Sequence, residues 1–239
     1  MLPTDPIRHH RIKKIIITII IVPIVLFLML LIVGFVANVL DRSRRISQGD
    51  YSLNATAPQV VSDYSGAQKT LIEGVGTQSV GATNPKLTIV EFADFQCPYC
   101  LASFPAMRAA SVKYKDSIKI IFRDWPGHTN SIALAEAAYC AGEQNKFWDM
   151  HDKLFQHQSD TFGANKNDLA QLASELGIYN TQFQTCFDTQ KYLPLIQKNF
   201  ADSQTLGVRG TPTWFFNGKK AEGAITSTDF DTIVESYLK

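Results

Sequence analysis

The chain has 239 residues, 45% of them hydrophobic, which is enough to bury a sizeable core. Its 23 basic and 22 acidic residues leave a net charge of +1. With no basic excess, and no run of Lys and Arg interleaved with aromatics beyond the N-terminus, a nucleic-acid surface is not expected. Four cysteines, Cys97, Cys100, Cys140 and Cys186, make an even count that is compatible with disulfides without proving them.

The N-terminal tail, residues 1–14, carries Arg8, Arg11, Lys13 and Lys14. Residues 15–40, IIITIIIVPIVLFLMLLIVGFVANVL, contain no charge. A helix of that length would reach about 39 Å, more than the ~30 Å hydrocarbon core of a bilayer. The run is too long for a cleavable signal, and Ala37-Asn38-Val39 is a poor cleavage site, so a retained signal-anchor is expected. Pro23 and Gly34 are tolerable in such a helix. Four basic residues before the span against Arg42, Arg44 and Arg45 after it favour the N-terminus inside. The expectation is therefore a single-pass protein of the cytoplasmic membrane with its large domain outside. Residues 41–75 are polar and weakly periodic and read as a linker; Asn54-Ala55-Thr56 matches a glycosylation acceptor.

From residue 76 the pattern turns globular. Leu87 to Phe92, LTIVEF, is apolar on both alternating faces, as in a central strand covered on both sides. A helix is expected from about Cys97 to Lys115, and a second strand over Ser117 to Trp125. Helices follow through residues 130–206. Asn130 is expected to cap one, and Phe147, Met150, Leu154 and Phe155 form an apolar stripe on the next. Asp168-Leu169 opens another that ends at Gly177, and Asn180 caps a short one carrying Phe183, Cys186 and Phe187. Thr213 to Phe216, then Asn217-Gly218, then an extended run reads as a hairpin, and residues 228–238 as a closing helix. This is an α/β domain with a helical insertion.

Cys97 and Cys100 form CPYC directly after the apolar strand. A zinc site would want a second CxxC or a His pair nearby, and His128, His151 and His157 form no ligand pattern. A structural disulfide closing so small a loop would restrain the unfolded chain little. A reactive pair fits the placement. The first cysteine falls at a helix N-terminus, where free N–H groups and the dipole favour a thiolate. Pro98 suits the first turn, and Cys100, one turn on, can resolve a mixed disulfide with Cys97.

With these motifs the chain resembles the thioredoxin superfamily, and within it the DsbA-like thiol-disulfide oxidoreductases, over roughly residues 76–239. TIVEFADFQCPYC is similar to the family's strand and active site. Pro105 is similar to a proline that kinks the active-site helix, and GVRGTPTWFFNG to the loop carrying a cis-proline, here Pro212. Ala137 to Phe155 resembles the helical insertion, placed at about 128–206. The resemblance implies that a cis Thr211–Pro212 bond faces the cysteines and turns the Thr211 backbone toward a bound peptide. Pro98 and Tyr99 then belong to the same substrate-binding face.

It also implies that Glu91 is a buried acid beneath the cysteines, able to relay the proton that the resolving thiol must lose; a paired or edge glutamate with a structural role is the other reading. Tyr99 departs from the His of strongly oxidising relatives and points to a milder oxidant. Cys140 and Cys186 could be two buried thiols, but outside the membrane a structural disulfide between them is expected. His128 is left out of the catalytic set, and Trp148 and Trp214 are assigned to the core.

The function expected is disulfide donation to reduced, unfolded client proteins. The resemblance implies reoxidation by a quinone-linked membrane partner. No metal, flavin or nucleotide motif is present, so no cofactor is expected. A reductase or isomerase on the same fold and a peptide-binding chaperone module are the alternatives.

Overall fold

The computed structural model describes residues 22–47 and 64–239. They fall in two units divided at Asp50. Asn54-Ala55-Thr56 and residues 15–21 of the expected span lie outside the described residues.

In the first unit, Val22–Ser47 is one helix, α1. The side chains from Val22 to Val33 other than Pro23 are large, apolar and exposed. Among the described residues no helix is long and apolar enough to cross a membrane.

The second unit is built on a five-stranded sheet. In chain order its elements begin with α2 (Gly66–Glu73), β1 (Gln78–Gly81), β2 (Leu87–Ala93), α3 (Pro98–Lys113) and β3 (Ile118–Asp124). The insertion follows as α4 (Ser131–Gly142), α5 (Phe147–Gln156), α6 (Gln158–Thr161), α7 (Lys166–Glu175), α8 (Asn180–Asp188) and α9 (Leu193–Thr205). β4 (Thr213–Phe216), β5 (Lys219–Glu222) and α10 (Ser227–Leu238) close the chain. The strand order is β1-β3-β2-β4-β5, with β2 and β3 parallel and the other pairs antiparallel. The central strand β2 is buried at every position, as apolar residues on both its alternating faces predict.

The alternation of a strand decides which layer each residue meets. Leu87 and Ile89 face the layer containing Met107 of α3 and Phe230 of α10. Val90 and Phe92 face Ile72 of α2, Val208 and Phe215. Glu91 shares the parity of Leu87 and Ile89, so the strand aims it at the layer that α3 covers. The hairpin turn is as expected: Asn217 and Gly218 both take positive φ, 43° and 82°.

Several local readings differ from expectation. Residues 64–75, assigned to the linker, contain α2, and its Ile72 is fully buried. The fully buried Arg123 holds this helix by donating to the carbonyls of Leu71 and Ile72 at 2.9 Å. The same side chain reaches Asn199 and Asp202 of α9 at 2.7 Å. A Cβ at Gly74 would sit 2.7 Å from the guanidinium, so the chain there needs glycine. Strand β1 carries no usable alternation in four residues, and only its antiparallel pairing with β3 makes it a strand. Asn130 stands at the N-cap of α4 but makes no cap bond; its amide donates to the carbonyls of Thr161 and Ala164 instead. The capping box of α7 belongs to Asn165, with Asp168 as its third residue, and α8 is capped at Tyr179, not Asn180. Of the two tryptophans assigned to the core, Trp214 is fully buried, whereas Trp148 is partly buried with the Arg108 guanidinium over its ring.

Candidate active site

The last residues of β2 lead into α3 through a tight turn. Asp94 accepts from the Cys97 N–H at its carbonyl (3.0 Å) and from the Gln96 N–H at Oδ1 (2.9 Å). Its other carboxylate oxygen accepts from Gly127 N (2.8 Å) and Ser131 Oγ (2.8 Å), and lies 2.7 Å from His128 Nδ1. On the insertion side, Gln96 accepts from Asn130 N at 2.7 Å and donates to the Phe162 carbonyl at 3.2 Å. The turn is thus gripped from both flanks, and Cys97 is delivered as the N-cap of α3 with Pro98 in its first turn. Pro105 lies inside α3, as the resemblance implies.

Cys97 and Cys100 are both reduced and both buried, Cys100 completely. Pro98 and Tyr99 between them are exposed. The Thr211–Pro212 bond is cis. It brings the Thr211 carbonyl within 3.3 Å of Cys97 Sγ, which donates to it as a thiol. Cys97 and Thr211 are thereby brought into contact, with Pro98 and Tyr99 exposed between the two buried cysteines and Pro212 buried.

The two sulfurs are electrostatically unlike. The Cys97 thiol is lowered from 9.0 to about 6. The hydrogen bond from Cys100 contributes most; the Thr211 side chain and the N–H groups of Cys100 and Tyr99 add to it, against the cost of burial. Cys100 is pushed well above the ordinary thiol value by burial, and further by its bond to Cys97 and by the charges of Cys97 and Glu91. Near neutral pH the pair holds one thiolate on the outer sulfur and one proton on the inner. Glu91 is 2% exposed and raised to about 8, first by burial and then by the Cys97 charge. Glu91 and the cysteines thus shift one another's proton affinities: the Cys97 charge raises Glu91, and the Glu91 charge adds to the rise of Cys100.

Cys140 of α4 and Cys186 of α8 form a disulfide with Cα atoms 5.7 Å apart. It lies inside the insertion and ties two of its helices together. With Glu136 these sulfurs make the one group of metal-ligand side chains found together among the described residues, and the two sulfurs are bonded to each other.

Asp94, Gln96 and Gln158 were not singled out in the sequence. Asp94 carried a signal, as a charge directly after the central strand; Gln158 stands 61 residues beyond Cys97 and carried none.

The family model described as Thioredoxin matches residues 74–236. A Na(+)/H(+) antiporter NhaA 3 of Salinispora tropica is 35% identical over 146 residues, covering 60% of this chain and 22% of that protein. The chain thus spans about a fifth of the length of the curated relatives it matches. Among solved structures, a thioredoxin-like oxidoreductase from Silicibacter pomeroyi superposes with a TM-score of 0.62 at 22% identity, covering 72% of this chain and 98% of that one. The thiol-disulfide exchange protein alpha-DsbA2 from Wolbachia pipientis gives 0.62 at 22% identity, covering 71% and 90%. The family match spans the strand, the CPYC helix, the insertion and the cis-proline loop together, and on that ground this chain belongs to the thioredoxin family.

Proposed function

We propose that this thiol-disulfide oxidoreductase acts as a disulfide donor outside the cytoplasmic membrane, held there by the apolar segment 15–40. In its oxidised form a client thiolate attacks Cys97 Sγ. The Cys97–Cys100 bond breaks, a client–Cys97 bond forms, and the electron pair leaves on Cys100, which takes a proton from protonated Glu91. A second client thiolate then attacks the client sulfur of the mixed disulfide. The client leaves with its disulfide, and Cys97 departs as the stabilised thiolate. The enzyme has gained two electrons and passes them to a quinone-linked membrane partner.

The observation that carries this direction is the stabilised Cys97 thiolate, which favours the reduced enzyme and hence donation. Its size can be stated. A thiol at about 6 rather than 9.0 favours the reduced form at pH 7 by about 1.4 kcal/mol, or about 30 mV for a two-electron couple. That raises the potential but does not by itself reach the strongest oxidants, in keeping with Tyr99 in place of an imidazolium. Two observations support the compartment: the exposed apolar side chains of α1, which need a cover, and the Cys140–Cys186 disulfide, which suits an oxidising environment.

The test is the Cys97–Cys100 potential, measured by thiol trapping in graded glutathione buffers. A value at or above about −210 mV supports donation. A value well below it makes the chain a reductase or isomerase. A pair that never exchanges, with peptide binding intact after both cysteines are replaced, makes it a chaperone module.

A further inference from the structure

The peptide bond between Cys97 and Pro98 has no N–H, so it can be held only through its carbonyl. That carbonyl has two lone pairs. One accepts from Leu101 N at 3.1 Å, the first bond of α3. The other accepts at 3.0 Å from Nε2 of Gln158, a residue of the insertion. The same NH2 group donates its second hydrogen to the Phe95 carbonyl at 2.8 Å, so one amide spans the turn that presents the nucleophile. Gln158 is 6% exposed, which leaves little room for water to take its place. Its own backbone is fixed by Thr161 Oγ1, which donates to its carbonyl at 3.0 Å.

We propose that Gln158 is a positioning residue for thiol-disulfide exchange: its carboxamide fixes the Cys97–Pro98 peptide plane and so keeps Cys97 Sγ over the N-terminal N–H groups of α3. The helical insertion is thereby part of the apparatus that sets the reactivity of the cysteine. The inference rests on the reading of Cys97 as the nucleophile. Losing one such hydrogen bond is worth roughly a three- to tenfold change in the equilibrium it supports.

The experiment uses the full reduced chain and follows thiolate absorbance and iodoacetamide alkylation of Cys97 against pH. Gln158→Met keeps the shape and removes the donor. Its midpoint is expected to rise by about half to one pH unit, with the Cys97–Cys100 potential falling in step. A folded Gln158→Met protein with both readings unchanged overturns the proposal. Should that variant not fold, Gln158→Glu provides the second reading. Its carboxyl can donate only while protonated, so the Cys97 curve should split into two steps, and a single unshifted step overturns the proposal. If the unsubstituted protein already titrates at the ordinary thiol value, the nucleophile reading itself fails. A low midpoint that Gln158→Met leaves unmoved sinks only the role of Gln158.

Discussion

Cys97 and Glu91 give the reduced enzyme opposite responses to pH. The Cys97 thiol is lowered in the folded protein, so its contribution to stability is complete above the unfolded-thiol value of about 8.5 and is lost as pH falls through about 6. The stability advantage of reduced over oxidised protein should therefore shrink between pH 9 and pH 5, which paired thermal melts across that range would measure; a constant difference would remove the thiolate argument. Glu91 is raised, so its contribution is complete below the unfolded-carboxyl value and is lost as pH rises through about 8. Glu91→Gln should remove that loss and slow turnover about a hundredfold or more, the scale of a general acid-base group, without abolishing it. Stopped-flow oxidation of a dithiol peptide tests this, and an unchanged rate would return Glu91 to a purely structural role. Cys97→Ser should abolish exchange altogether. The identity of these residues was legible in the sequence. The direction of the Cys97 shift was legible too, from its place at a helix N-terminus; how far each group moves was not, because burial, and for Cys97 the distant Thr211, set it.

Among elements, the insertion depends on its covalent tie. The Cys140–Cys186 bond closes a loop of 46 residues between α4 and α8, and removing it should cost about 2–4 kcal/mol. A Cys140→Ala/Cys186→Ala double variant should show that loss in urea melts while the Cys97 titration midpoint stays in place; a fall in the midpoint would mean that the insertion strains the active site. The elements themselves divide by the reach of their signals. Strand β2 and the stripe of α5 repeat with their own period and were readable. The helix α2 was not, because it buries one apolar side chain, Ile72, and is pinned by an arginine some fifty residues away. Asn130 looked like a cap because caps are recognised by residue type, whereas its actual partners, Thr161 and Ala164, lie at the end of α6 and just after it, more than thirty residues on.

At the scale of the whole chain, the apolar segment 15–40 fixes the expected site of action. Full-length protein should resist extraction from membranes by alkaline carbonate, and protein lacking residues 1–47 should be released; release of the full-length chain would remove the anchor from the reading. The cis-proline loop was implied by the family resemblance; the sequence by itself determined the α/β domain and the CPYC pair at the junction of strand and helix. Those features are encoded by period, by turn chemistry and by residues a few positions apart. Tertiary structure alone decided that Thr211 reaches the Cys97 sulfur, that Cys100 and Glu91 are closed off from water, and that Gln158 holds the nucleophile's peptide plane. Each of these depends on groups separated by many residues and brought together in a medium from which water is excluded, where a single hydrogen bond or charge acts far more strongly than in the unfolded chain.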